Sequence, residues 1–391
     1  MELERSSLPR RLLKTGLAYG LSWTGISKLV QIRERAAHKP LVVCYHRTVQ
    51  NLAANTNDIL PSMLISREML ERQLDWIGRS YSFVSLDELG LWLEGKKKFS
   101  RPIAAVTFDD GYRDVYYNAF PLLKRKGIPA AVFVVTDLIG KPDLLVHDKL
   151  FLLLSRAFSP QDAGLGKLMR FLRTLAIDLS EKKILRNGRW SRSRAASSLL
   201  MVLSRREIDR VIHALEADTQ IEESALNINR CLNWEMILEM HRAGVTIGSH
   251  SHSHAVMINE KSDKMMQEAN SSRETLQRKL RTKIQHFAYP DGQFNDAAIR
   301  AVAASGYRFA YTTCGHQQIA YPTLTIPRMI LWENSSLDAS GRFSPAILNC
   351  QIRGIFDVLK PCRRLHRLPQ ASDFTARPEP LKETRSQGVR L

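Results

Sequence analysis

The stretch Val106-Thr107-Phe108-Asp109-Asp110-Gly111 constrains this 391-residue chain more than any other. The run from Pro102 to Phe108 is apolar and ends in two adjacent carboxylates and a glycine. Bounded in this way, it predicts a buried strand whose C-terminal end delivers acids into a cleft. Two neighbouring carboxylates repel each other, and burying both costs several kcal/mol unless a cation compensates. A metal ion is the natural compensator, with one Asp as ligand and the other left free as a base. Taken alone, Asp-Asp-Gly reads more readily as a turn closing a strand.

A second stretch shifts that balance. Downstream the chain runs Thr246-Ile247-Gly248-Ser249-His250-Ser251-His252-Ser253-His254. A short strand again ends at a glycine and then presents histidines. The i, i+4 spacing of His250 and His254 predicts two imidazoles on one side of a helical turn, within reach of one ion. With Asp110 they would form a two-histidine, one-carboxylate site with open positions for water. His252, between them, is expected to point away. The run is internal and interrupted by serines, unlike an appended histidine tag.

Thr-Phe-Asp-Asp-Gly followed by His-Ser-x-x-His resembles the polysaccharide deacetylases, carbohydrate esterases that carry the NodB-homology domain. Val43-Cys44-Tyr45-His46-Arg47 is similar to the family's first strand. Trp234 and Gly244 sit in a similar lead-in to the histidines, and Phe287-Ala288-Tyr289-Pro290-Asp291-Gly292 resembles its third motif. The resemblance covers roughly residues 40–330, apart from an insert. It implies a distorted (β/α) barrel of seven or eight strands. It also implies hydrolysis of N-acetyl groups from amino sugars of a polysaccharide, such as an exopolysaccharide, or of a lipid-linked glycan. Carried over, Asp110, His250 and His254 hold a divalent metal, zinc first, and Asp109 is the general base. A backbone N–H near Tyr289 completes the oxyanion hole; the plainer alternative for Tyr289-Pro290 is a rigid turn.

Two departures stand out. Many relatives carry an arginine in the third motif that pairs with the base, and this chain has none there. Arg328, after Pro327, is the candidate replacement; its alternative is a surface arginine. The family's late histidine, often the general acid, has no clear counterpart, since only His366 lies beyond Pro327. His46, His147 and a metal-bound water are the alternatives, and His46 is placed in the cleft without being assigned the proton.

The order of elements supports the same architecture independently. Ser66 can cap a helix from Arg67, and Ser85 with Glu88 forms a capping box. Tyr112–Lys126 predicts a helix, Ala130–Val135 a strand and Trp234–Ala243 a helix. Val245–Ile247 follows as a strand, then a helix over Lys261–Arg281 and a strand over Ile284–Ala288. Asp296–Ala304 is a helix, Phe309–Thr312 a strand and Leu324–Pro327 the last short strand. Alternating strands and helices imply a parallel sheet, with chemistry at the C-terminal strand ends. Residues 40–335 form the barrel unit. Residues 140–232 lack strand signals and predict a helical cap beside the site, with helices at Leu150–Leu154, Leu168–Ala176 and Glu207–Ala217. His147 and Asp148 open this insert. Residues 1–39 predict a basic helical arm with a break near Gly25. Residues 336–391 predict a basic tail with a helix at Ala346–Leu359 and disorder from Pro361.

The formal net charge of +18 points to an anionic partner or surface. No basic stripe interleaved with aromatics is present, so a membrane surface or anionic glycan is favoured over nucleic acid. Five scattered cysteines without C-x-x-C spacing argue against a disulfide framework and favour reducing surroundings. No apolar stretch is long enough to span a bilayer, and Thr15–Ser27 is a weak secretory core. The arm is either an interfacial helix with Trp23 and leucines on its apolar side or a helix packed on the domain. The expected location is cytoplasmic or peripheral to a membrane. Three other functions remain open: a hydrolase of small cyclic amides on the same scaffold, a non-catalytic glycan-binding barrel, and a basic nucleic-acid binder.

Overall fold

A computed structural model of the chain describes residues 8–24, 39–52, 58–158, 164–177, 191–315 and 317–356. The strands are β1 (Leu41–Tyr45), β2 (Arg47–Val49), β3 (Leu64–Ser66), β4 (Ser82–Phe83), β5 (Ile103–Phe108), β6 (Ala130–Val134), β7 (Thr246–Ser249), β8 (His286–Ala288), β9 (Phe309–Tyr311) and β10 (Met329–Ile330). One eight-stranded parallel sheet runs β10-β1-β5-β6-β7-β8-β9, with β4 also paired to β5. β2 and β3 form a separate parallel pair. The sheet curls into a distorted (β/α) barrel, as the alternating pattern requires.

β5 lies mid-sheet and is buried along its whole length. β1 takes the register Leu41–Tyr45 against Ala104–Phe108, while β4 pairs at Ile103–Ala104 and β6 from Val106. At the seam between the ends of the sheet, one segment serves both sides. Ile326 bridges to Tyr311 of β9, and Met329 pairs with Val43 of β1. The last strand is therefore Met329–Ile330 and not Leu324–Pro327. Pro322–Leu324 forms a 3-10 turn, and Thr325 Oγ1 donates to Tyr321 O within it.

The helices are α1 (Leu8–Trp23), α2 (Arg67–Gly78), α3 (Leu86–Leu93), α4 (Phe120–Lys126), α5 (Val146–Ala157), α6 (Gly164–Thr174), α7 (Arg192–Val202), α8 (Arg205–Glu216), α9 (Glu223–Ile228), α10 (Trp234–Arg242), α11 (Ser262–Leu280), α12 (Asp296–Ala304) and α13 (Pro345–Ile352). Local chemistry sets their starts. Ser66 accepts from Met69 N at the head of α2, and Ser85 and Glu88 form the reciprocal box at α3. Gly127, at φ 63°, ends α4 in the left-handed region.

The insert is a helical bundle, α5 to α9, richer in helices than its sequence suggests. Its own apolar core includes Leu150, Leu154, Leu168, Leu199, Val211 and Leu215. It is pinned to the barrel by Arg47, which is 1% exposed. Arg47 Nε donates to Asp114 Oδ2 at 2.7 Å and Nη2 to Ile228 O at 2.5 Å, while Nη1 donates to Asn229 Oδ1. α1 packs on α13 through Ala18, Ile347 and Cys350. The described part of the arm is thus a docked helix. The expected break at Gly25, the tail beyond Phe356 and Cys362 lie outside the described residues. Cys44, Cys231, Cys314 and Cys350 are free thiols.

Candidate functional site

The two carboxylates diverge because the backbone turns sharply where β5 ends. Asp110 has φ 70° and Gly111 φ 71°, both left-handed. A Cβ at position 111 would lie 2.9 Å from Val134 Cγ1, so both space and conformation require glycine. Asp109 and Asp110 are each 2% exposed.

The histidines arrive from β7. His250 N donates to Val134 O, extending the pairing with β6 by one bond. Beyond it the chain is a loop, not the helical turn that the i, i+4 spacing suggested, with Ser251 at φ 66° and His254 at φ 59°. The fold holds this loop with Glu268 of α11. Its carboxylate accepts from His252 N at 3.0 Å, Ser253 N at 2.7 Å and Ser253 Oγ at 2.8 Å. These contacts fix the two imidazoles on one side without helical hydrogen bonds. His252 turns outward as expected, with Nδ1 3.1 Å from Thr136 Oγ1.

The loop brings His250 Nε2 to 3.4 Å and His254 Nε2 to 3.2 Å from Asp110 Oδ1. His250 Nδ1 lies 2.8 Å from Ala288 O. A carbonyl can only accept, so the proton sits on Nδ1 and the Nε2 lone pair faces Asp110. Neither Asp110 oxygen makes a hydrogen bond, although both are buried. A buried carboxylate that faces the His250 lone pair and has no hydrogen-bond donor is costly as it stands. One ligand atom from each of Asp110, His250 and His254 lies within 4.8 Å of the others. Two imidazole nitrogens and one carboxylate oxygen suit a divalent transition metal such as zinc. The residues present therefore fit a cation.

Burial alone would raise the pKa of Asp110; positive charge on the imidazoles of His147, His250 and His254 would reverse this and hold it well below the usual carboxylate value, and a bound cation would act in the same direction. Burial pushes Asp109 upward too. The adjacent Arg328 charge and then His250 reverse this, leaving Asp109 below its usual value.

Arg328 enters the site from the seam. Its Nη1 donates to Asp109 Oδ1 at 2.7 Å and its Nη2 to Oδ2 at 2.6 Å, a bidentate pair. Nη1 also reaches Thr107 Oγ1 and Nε donates to Thr312 O, both at 3.2 Å. The guanidinium lies 5.3 Å from the Phe133 ring centre and 5.9 Å from that of Tyr311. The surface alternative for Arg328 is excluded, since it is 4% exposed.

His46, half-buried at the end of β1, places a ring nitrogen within 4.8 Å of both Cys44 Sγ and an Asp109 oxygen. Tyr289 itself is held within the fold. Its N–H donates to Tyr311 O within the sheet and its hydroxyl donates to Leu324 O at 3.1 Å. Both polar groups are thus committed elsewhere, and the following Pro290 has no N–H to offer.

Four further residues shape the site: Cys44, Tyr112, His147 and Asp148. Cys44 Sγ donates to Asp109 Oδ2 at 3.3 Å. The Tyr112 hydroxyl donates to Asp148 Oδ2 at 2.6 Å and lies 2.7 Å from His147 Nε2. With its one proton given to Asp148, Tyr112 accepts from His147. These hydrogen bonds hold His147, at the start of the insert, 3.7 Å from Asp110 Oδ2. Burial lowers the His147 pKa to about 4, despite the nearby Asp110, so the ring is neutral near pH 7. Burial raises Asp148 to about 6. Tyr112 and Cys44 left no sequence signal of their own. Glu268 did leave one, as a carboxylate on the apolar stripe of α11 between Met265 and Ala269.

The sequence profile described as polysaccharide deacetylase matches residues 96–151 and 189–310. The YxkH protein of Bacillus subtilis (strain 168) is 31% identical over 90 residues, 23% of this chain and 32% of that protein. Poly-beta-1,6-N-acetyl-D-glucosamine N-deacetylase of Staphylococcus aureus (strain MSSA476) is 33% identical over 78 residues, 20% of this chain and 27% of that protein. This chain therefore spans 32% or less of the length of these two relatives. Among solved structures, the Streptococcus pyogenes deacetylase PplD in complex with acetate superposes with a TM-score of 0.50 at 18% identity, covering 80% of this chain and 98% of that one. That likeness is one of fold.

Proposed function

This chain belongs to the polysaccharide deacetylase family, and from that premise we propose that it hydrolyses N-acetyl groups from the amino sugars of a polysaccharide or lipid-linked glycan. The observation that carries the proposal is the pairing of two different carboxylate environments. Asp110 lies unpartnered among imidazoles, and its neighbour Asp109 is clamped by Arg328. The staphylococcal relative makes a β-1,6-linked N-acetylglucosamine polymer the first substrate to try.

Asp110, His250 and His254 would hold the divalent cation, zinc in this proposal. When bound, it would supply Lewis acidity to the acetamide carbonyl and lower the pKa of a water molecule. Asp109 is the general base. It takes a proton from water as the water oxygen bonds to the acetamide carbon. Breaking the C–N bond then releases acetate and a free amine, and the amine takes up the proton that Asp109 accepted. Arg328 keeps Asp109 ionised before attack and fixes the plane of its carboxylate. His46 lines the cleft beside Asp109. The backbone N–H of Tyr289 is used in the sheet and Pro290 has none, so a backbone oxyanion donor near Tyr289 would come from a neighbouring residue.

The test is acetate release from a panel of N-acetylated glycans, with small cyclic amides in parallel, with and without added zinc. Asp110→Asn should lose bound metal. Asp109→Asn should keep the metal and lose about 10²–10⁴-fold in turnover, the usual range for a general base. Acetate release by neither variant nor wild type, or near-normal turnover in both variants, would overturn the proposal.

A further inference from the structure

α1 is turned inside out for a surface helix. Its sequence, LPRRLLKTGLAYGLSW, contains no acid and three cations, Arg10, Arg11 and Lys14. It meets the body of the protein through Ala18 and Leu21, with Arg11 Nη2 donating to Asp338 O and Lys14 Nζ to Ser335 O, both at 3.0 Å. The side facing water is the apolar one. Leu13 is 73% exposed, Leu12 54%, Tyr19 49%, Leu17 37% and Trp23 93%. With Gly16 and Gly20, these positions fall within roughly half of the circumference at 3.6 residues per turn. Exposed apolar residues scattered singly are ordinary, but a contiguous stripe marks an interaction surface.

The composition of the stripe indicates its occupant. Trp and Tyr concentrate where one end of a side chain meets hydrocarbon and the other meets water. Leucines beside them, on a helix bearing cations and no carboxylate, match a helix lying in the plane of an anionic bilayer surface. No helix among the described residues is long and apolar enough to cross a membrane, so α1 would lie on the bilayer. A second copy of the chain is the competing occupant. Gly16 and Gly20 stand four apart, and a Cβ at either would meet nothing within 4 Å, which suits close helix approach. Self-pairing, however, would bring together two cation-only helices from a chain of net charge +18. An anionic headgroup layer attracts the net positive charge of the chain and accepts the apolar stripe.

We propose that α1 is a peripheral membrane anchor, which seats Leu12, Leu13, Leu17, Tyr19 and Trp23 in the headgroup–acyl boundary of anionic phospholipid vesicles. This is independent of the deacetylase assignment. The test is co-sedimentation of the full chain with phosphatidylcholine vesicles, with and without about one-third phosphatidylglycerol, at low and high salt. Binding is expected to the anionic vesicles and to weaken with salt. Leu13→Glu with Trp23→Glu should weaken it at least about tenfold, since charges replace the inserted groups. Both positions are exposed, so the unfolding temperature should not move. Vesicles with brominated acyl chains should quench tryptophan emission in the wild type. Trp23→Phe should bind but lose that quenching. Failure of the wild type to bind anionic vesicles, or equal binding by the double Glu variant, would overturn the proposal. So would dimerisation of the wild type, without vesicle binding, that the same variant abolishes.

Discussion

Replacing Arg328 by Met removes the only described guanidinium that pairs with Asp109 and tests whether that pair is buried and charged. The wild-type pair comprises two charge-assisted hydrogen bonds at 2.6 and 2.7 Å between side chains almost wholly withdrawn from water. Breaking such a pair from one side leaves an uncompensated charge and costs about 3–5 kcal/mol. The pH dependence follows from the sign of the shift. In the wild type, Asp109 is held below its ordinary value, so its contribution to stability is present at neutral pH and fades only as pH falls through that lowered value. Without Arg328, burial dominates and the carboxyl rises above its ordinary value. Protonation then relieves the strain, so the deficit should be largest at pH 7.5 and shrink by about pH 5. Urea denaturation followed by circular dichroism at both pH values measures this. Asp109→Asn combined with Arg328→Met should recover most of the loss, because neither partner is then left charged and alone. A deficit below about 1 kcal/mol at pH 7.5, or one that does not change with pH, would refute the buried ion pair.

Zinc at about one hundred times its dissociation constant should add about 2.7 kcal/mol of stability. Calorimetry should detect this as a higher unfolding temperature in the wild type and no shift in Asp110→Asn. His147→Ala should weaken zinc binding about 10- to 100-fold, the usual effect of losing a group that orients a ligand. Competition with a chromophoric chelator would read this without any turnover assay, and unchanged affinity would remove His147 from the site. Glu268→Ala should free the backbone N–H groups of His252 and Ser253 and lower zinc affinity, with Glu268→Gln intermediate; equal affinity in all three proteins would show that the histidine loop holds itself.

Much of the architecture was legible because its cues are local. Ser66, Ser85 with Glu88, and Gly127 each mark a helix end through short-range hydrogen bonds or a left-handed φ. The apolar runs at Ile103–Phe108 and Ala130–Val134 are strands because both of their faces are covered. The insert was harder to read. α7 carries Ser-Arg-Ser-Arg at its start and buries only Ala195, Ala196, Leu199 and Leu200, which leaves little periodic signal. The histidine spacing was legible as a pair but not in its backbone. Left-handed residues at Ser251 and His254 are paid for by Glu268 across the loop, a long-range contact that no local pattern encodes. The position of Tyr289 past a strand end was read correctly, but the partners of its N–H and hydroxyl depend on β9 and the turn at Leu324.

The seam explains why an arginine so late in the chain can serve the base on β5. Ile326 is held by β9, with its N–H donating to Ala310 O and its carbonyl accepting from Thr312 N. Three residues later Met329 is held by β1. Arg328 lies on the crossing between them, and its side chain runs under the rings of Phe133 and Tyr311 to Asp109. β1 also carries Cys44, whose thiol donates to the same carboxylate, and Thr107 of β5 donates to Val43 O while accepting from Arg328. The groups that orient Asp109 therefore come from the two strands beside the closure and from the closure itself. A third-motif arginine would approach from β8, on the far side of β6 and β7 from β5. Either route can supply a bidentate guanidinium, but only the seam route makes the geometry of the base depend on how the barrel closes. Loosening the seam at Ile326, for example by Ile326→Gly, should therefore lower turnover more than metal affinity, because Asp110, His250 and His254 are built on β5 and β7 and do not touch it.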